Sequence, residues 1–282
     1  MYTKKLCVWL WLCVLLLCSC VKGKEKELEE ELVVSVMIEP QRYFVEAITG
    51  GRVKVLVVVP GGQSPEQYDP TAAQIGAIES SRGYLHMGSL GLSQGWSENL
   101  VRNNPGLPVF DMSEGMDLME GDPHIWTSFE GAKQIARNTL KALMKVDTLH
   151  RKEYSLNYLK LVDRIRSYQA EARRELSGVC GQAFVIYHPT LTYFAREFGL
   201  TQLALEEEGK EPSPKQLRRV IDSAQKLKAK VAFIQEEFDI KNIETVCRET
   251  GCRMEVLHPL SGDPMGELVR LPKLLAGDES AD

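Results

Sequence analysis

Residues 147–176 read DTLHRKEYSLNYLKLVDRIRSYQAEARREL, and this stretch decides the fold. Tyr154, Tyr158, Leu161, Ile165, Tyr168 and Ala172 step by four and three, which places them on one helical face. Neither Gly nor Pro interrupts the run. A rod of about thirty residues reaches ~45 Å, long enough to span two domains. The pattern therefore predicts one linking helix rather than two helices with an unmarked break.

A strand–helix rhythm runs on both sides of it. Upstream, strands are expected at 32–37, 53–59, 84–87 and 107–112, with helices at 41–49, 71–79 and 128–144. The near-continuous β-branched run at 53–59 predicts burial on both faces, as in a parallel sheet. Downstream, strands are expected at 183–187, 202–205, 231–235 and 254–257. The helices among them are expected to end at Phe198 and to cover 214–227 and 240–250. The fold class is therefore α/β: two βα lobes with mainly parallel sheets, joined by the rigid helix.

The 282 residues are 44% hydrophobic and 26% charged, with a net charge of -5, an ordinary globular composition. No basic face is implied, so nucleic acid is not an expected partner. Lys4 and Lys5 precede an apolar run at 6–17, too short for a comfortable membrane span, which reads as a signal peptide. The run closes in Leu17-Cys18-Ser19-Cys20, which resembles a bacterial lipobox with Cys20 as the lipidated residue; a plain secretory signal or an uncleaved anchor is the alternative. The charged segment after it has the composition of a tether. The expected division is a lipoprotein signal peptide at 1–20, a flexible linker at 21–31, an N-terminal α/β lobe at 32–146, the linking helix at 147–177 and a C-terminal α/β lobe at 178–282. Of the three cysteines in the body, Cys247 and Cys252 form the nearest pair for a disulfide, and Cys180 is left over. No CxxC occurs.

Five histidines remain to be explained. His188 and His258 each follow an apolar strand and precede a proline, and His124 sits in Gly121-Asp122-Pro123-His124-Ile125-Trp126. The proline disfavours the α region at Asp122 and stiffens the entry to that turn. A structural histidine is the commoner role for each one alone. Three at matching positions, two of them at strand ends where open α/β sheets collect their ligands, point instead to a metal in the cleft between lobes. Glu66, after the second strand, is the candidate carboxylate ligand. Asp122, Tyr187, Glu236 and His86 are candidate outer partners that would orient the ligands. His150 is expected on the long helix, exposed.

Several segments together resemble the metal-binding solute-binding lipoproteins of ABC transporters, the zinc- and manganese-uptake family. They are the loop at 60–70, the Asp-Pro-His turn, residues 187–195, Gly209-Lys210-Glu211-Pro212-Ser213-Pro214-Lys215-Gln216-Leu217, and Leu257-His258-Pro259-Leu260. The resemblance covers nearly all of the chain after the leader. It implies a metal site in the cleft between the lobes, with Glu66, His124, His188 and His258 as ligands. Family members usually carry histidine where this chain has Glu66, and aspartate or glutamate where it has His258. Three imidazoles and one carboxylate survive the double exchange, unless Glu66 falls short and water replaces it. The His-rich loop of some zinc members is absent.

That donor set suits Zn²⁺, with Mn²⁺ or another divalent transition metal allowed. The implied role is capture of the ion and its delivery to an ABC permease. The protein would be a monomer in the cell envelope, held to a membrane through a lipid anchor and facing the periplasm or exterior. An enzyme is not expected: a zinc hydrolase with Glu66 as general base is one rival, but neither HExxH nor GxSxG occurs. A surface adhesion lipoprotein with a vestigial metal site is the other.

Overall fold

Two four-stranded parallel sheets carry the site, and they share one strand order. The computed structural model describes residues 31–90, 95–179, 181–207 and 209–277. Cys20, Cys180 and the segment expected as a leader lie outside the described residues, as does nearly all of the linker. In the first half, β1 (Val33–Val36), β2 (Lys54–Val57), β3 (Tyr84–His86) and β4 (Val109–Asp111) lie in the order β2-β1-β3-β4. In the second, β5 (Ala183–Ile186), β6 (Thr201–Ala204), β7 (Val231–Gln235) and β8 (Arg253–Leu257) lie in the order β6-β5-β7-β8. Every pairing is parallel, with Val36 opposite Val57 and Leu85, and Ile186 opposite Ala204 and Phe233. In each half the order reverses at the first strand, so the crevice that binds ligands opens at the carboxyl ends beside β1 and β5.

The helices in chain order are α1 (Glu39–Thr49), α2 (Ala72–Glu79), α3 (Gly95–Asn103), α4 (Phe129–Val146), α5 (Arg151–Glu175), α6 (Thr192–Phe198), α7 (Pro214–Leu227), α8 (Lys241–Thr250) and α9 (Pro264–Ala276). α5 is the long helix read from the sequence. It begins four residues later than expected because Asp147 caps the end of α4 and its carboxylate holds His150 Nδ1 at 2.8 Å. His150 is accordingly half-buried at the helix start rather than exposed on it. Tyr154, Leu161, Ile165 and Ala172 are buried along one face of α5, with Tyr158 and Tyr168 partly buried beside them. That face packs on α1 and α4 of the first half and on α9 of the second, and Asn157 donates a hydrogen bond of 3.0 Å to the carbonyl of Ile48. Among the described residues no helix is long and apolar enough to cross a membrane.

One expectation changes, two helices are added, and the open question of the cysteine pair closes. β2 is not buried on both faces: it is an edge strand, with Lys54 exposed and Leu56 and Val57 half-buried. The apolar run instead plugs the core from the strand's flanks, through Val53, Val58 and Val59. Helices α3 and α9 were not read from the sequence. α9 carries Pro272 inside it, which hides a helical pattern from a search for breakers. Cys247 and Cys252 are both free thiols. Cys252 is buried with its thiol 3.1 Å from the carbonyl of Ala229, and burial raises both thiol pKa values, Cys247 to about 11.

The Asp-Pro-His turn sits directly on the start of α4. Ser128 caps that helix, accepting from Gly131 N at 3.1 Å, and Ile125–Thr127 form one 3₁₀ turn before it. A Cβ at Gly131 would lie 1.8 Å from the carbonyl oxygen of Ile125, a backbone atom that cannot step aside. We expect Gly131→Ala to cost about 1–3 kcal/mol or more, read as a melting point lowered by roughly 3–10 °C. Because His124 sits one residue before Ile125, the same change should disturb the His124 turn; an unchanged melting point in calorimetry would refute the packing argument.

Candidate metal centre

The site assembles from the carboxyl ends of strands in both sheets. Glu66 comes from the loop after β2, His124 from the turn between β4 and α4, and His188 from the residue pair after β5. One ligand atom from each of these three residues lies within 4.8 Å of the others. Glu66 Oε1 is 3.8 Å from His124 Nε2 and 3.6 Å from His188 Nε2. Two donors at ~2.0–2.1 Å from a tetrahedral zinc stand about 3.3 Å apart, so the two Glu66 distances are within a few tenths of an ångström of that spacing.

Each imidazole is held from behind. Asp122 Oδ1 accepts from the His124 backbone N–H at 2.8 Å and from Nδ1 at 2.7 Å. This places the proton on Nδ1 and leaves the Nε2 lone pair facing Glu66. Burial works against the charged form of Asp122, but the hydrogen bonds and charge of His124 outweigh it, and the carboxyl stays below its usual value. His188 is clamped by buried Gln235, which donates to its carbonyl at 2.7 Å and accepts from its N–H at 3.3 Å. His188 Nδ1 is 3.1 Å from Oε2 of the buried Glu206, a close ion-pair contact whose angle falls short of an aligned hydrogen bond.

The walls differ in character. Pro65, Trp126, Phe238, Pro259 and Leu260 line one side of the cavity, with the Phe238 ring stacked 5.6 Å from that of His188. This apolar side lowers the local dielectric and strengthens every charge interaction in the site. The other side opens past Asp122, Glu206 and Gly209.

Not every expected residue joins. His258 follows β8 but stands outside the three-residue group: its Nδ1 turns to Glu236 Oε1 at 3.3 Å, near the surface. Its neighbour Pro259 is the residue that lines the cavity. Tyr187 reaches the site through rings, stacking 4.7 Å from Phe238, while its hydroxyl faces Asn242. His86 is buried at the end of β3, with Nδ1 3.1 Å from the carbonyl of Gly88, and serves the fold there. Glu206 and Gln235 were missed. The signal for both was present, since each ends or follows a strand whose sheet already supplies His188.

Protonation follows from this geometry. Burial opposes charge on His188, but Glu206 and Glu66 outweigh it and raise its pKa to about 9. The same contact with His188 pulls Glu66 below its usual value, against burial. Without an ion, a proton therefore bridges the carboxylates at neutral pH. A raised pKa stabilises the fold fully below the ordinary value of 6.5 and loses that contribution as pH climbs through about 9. In chelator, urea stability should fall between about pH 6.5 and pH 9.5, and less so in His188→Gln. Identical pH profiles for the two proteins would sink this assignment.

Comparison with known proteins follows the same lines. Residues 34–270 match the family described as ZnuA, zinc-uptake complex component A, periplasmic. The high-affinity zinc uptake system protein ZnuA of Bacillus subtilis is 24% identical over 264 residues, covering 86% of this chain and 82% of the relative. The iron ABC transporter substrate-binding lipoprotein MtsA of Streptococcus pyogenes is 24% identical over 228 residues, covering 73% and 72%. A crystal structure of ZnuA superposes with a TM-score of 0.81 at 32% identity, covering 88% of this chain and 98% of that one.

Proposed function

This chain belongs to the family of zinc-uptake complex component A proteins, ZnuA, and on that premise we propose that it captures a divalent metal ion outside the cytoplasm and delivers it to an ABC permease. Zinc is the cargo we assign, in keeping with the family and with the printed names of the zinc-uptake relatives. The observation that carries this reading is the convergence of Glu66 Oε1 with Nε2 of His124 and of His188, each ring backed by a carboxylate. Two nitrogens and one oxygen suit zinc, and the remaining coordination position is left to solvent or to a group of the permease. His258, expected as a fourth ligand, is assigned to the rim with Glu236. Cys20 is the proposed lipid attachment, which would hold a monomer at the membrane that carries the permease.

Release should not need a wide opening of the two halves. Trp126 Nε1 donates to the carbonyl of Pro259 at 2.8 Å, Thr127 Oγ1 to that of Thr190 at 2.6 Å, and Tyr193 Oη to that of Asp122 at 2.6 Å. These bonds tie the His124 turn to the half that carries His188. Glu66 stands on an exposed loop outside these bonds, and its movement is the release step we propose. Solution scattering should give the same radius of gyration with and without zinc; a change of several per cent would argue for hinged lobes instead.

Calorimetry with zinc tests the main reading. Glu66→Ala, His124→Ala and His188→Ala should each weaken binding by about 100-fold or more, and His258→Ala by less than about tenfold. Since an ion must displace the His188 proton, wild-type affinity should fall about tenfold per pH unit on going from pH 8 to pH 6. Affinity no better than millimolar in the wild-type protein would favour the adhesion reading. Turnover of ester or peptide substrates by the zinc-loaded protein would favour the hydrolase.

A further inference from the structure

We propose that Glu206 is the positioning residue for His188, matching Asp122 behind His124, so that two carboxylate–imidazole arms aim their Nε2 atoms at Glu66. This rests on the reading of Glu66, His124 and His188 as metal ligands. Glu206 follows the end of β6, beside β5, whose end carries His188. Its backbone N–H donates to the carbonyl of Tyr187 at 2.9 Å, which sets the two residues in register. Its side chain is 7% exposed, and its Oε2 is 3.1 Å from His188 Nδ1. A carboxylate buried this far costs several kcal/mol unless a cation or strong donor compensates it. His188 is the ion-pair partner that Glu206 has been given.

The neighbourhood leaves room for this role. Gly209, in the left-handed region at φ +72°, turns the chain back towards the Glu206 carboxylate, and an added Cβ there would meet Glu206 Oε1 at 3.9 Å. The imidazole plane is then fixed from three sides. Glu206 faces Nδ1, Phe238 stacks on the ring, and Gln235 grips the backbone. Of these three, Glu206 alone brings a charge to a ring nitrogen. A carboxylate at Nδ1 keeps the proton there and makes Nε2 a stronger donor to a metal. The 3.1 Å contact falls short of an aligned hydrogen bond, so Glu206 acts on the ring as a close buried charge.

The test uses the full mature chain with zinc and cobalt(II) as probes. Glu206→Gln preserves shape and removes the charge. It should weaken zinc about 10- to 100-fold, as loss of such outer partners does elsewhere. It should also shift the visible bands of bound cobalt, which report ligand geometry and which a merely structural role would not move. Glu206→Asp keeps the charge but withdraws it, and should weaken zinc by about three- to tenfold. If the Gln variant fails to fold, the Asp variant decides alone, by the same two readouts. Zinc affinity within twofold of wild type, with unchanged cobalt bands, overturns the proposal. If the wild-type chain itself binds neither ion, the transport reading fails first, and that outcome is separate from a silent Glu206.

Discussion

Everything at the site depends on how the short turn from Asp122 to Thr127 is bolted in place. It enters from the first half, yet its hydrogen bonds reach across to Pro259, Thr190 and Tyr193 in the second. Trp126 is 1% exposed and its ring lies 5.0 Å from that of His124, so a close neighbour of that imidazole is an anchor. Below it, Gly131 touches the Ile125 carbonyl so closely that no side chain fits. Hydrogen bonds buried in a low dielectric are costly to break without replacement. The turn therefore has little freedom to relax, and neither has His124.

A second layer of the same interface lies further along α5. Gln169 donates to Glu130 on α4 and to Glu197 on α6, at 2.8 and 2.5 Å, while Lys133 approaches Gln169 at 3.1 Å. Burial, the largest influence, raises the Glu197 carboxyl, while Lys133 and Gln169 hold that of Glu130 low against its own burial. The long helix is thus more than a spacer. It supplies an amide that joins α4 of the first half to α6 of the second. The stiffness inferred from an unbroken helical run acquires, in the structure, a side-chain cause.

Much of this was legible in the residues. The 3.6-residue period of α5, the buried strands β5 and β7, and the Pro-marked ends after β5 and β8 each follow from local chemistry that tertiary contacts reinforce. Where reading failed, a non-local fact decided. β2 looks central because it is apolar, but strand order, which no short window encodes, makes it an edge. His188 and His258 are alike in sequence, each an imidazole between an apolar strand and a proline. β5 is the first strand of its half, at the switch point, whereas β8 is its outer edge. Position in the sheet, not sequence, separates the converging group of Glu66, His124 and His188 from His258 at the rim. Glu206 was not among the expected residues, and it is tertiary contact, which no short window encodes, that buries it.

The loss of one expected imidazole from the group bears on metal choice. Three nitrogens and a carboxylate would have pointed to zinc by count alone. With two nitrogens the argument shifts to their quality. An imidazole backed by a carboxylate is a stronger donor than a free one, and here both imidazoles are backed. Nitrogen donors of that kind disfavour magnesium and calcium, which seek oxygen. Among transition ions, a nitrogen–oxygen site holds zinc more tightly than iron(II) or manganese, and copper more tightly still. Affinity order therefore places zinc above two of the metals that this family's members carry, while supply outside the cell decides whether a tighter competitor ever arrives. The three carboxylates Glu66, Asp122 and Glu206 serve a further end: together with two neutral imidazoles they give the empty site more negative charge than a divalent ion carries. A proton on His188 offsets part of it when the ion leaves. Exchange of a divalent ion for one proton changes the charge by one unit instead of two, which offsets part of the cost of leaving buried carboxylates unpaired.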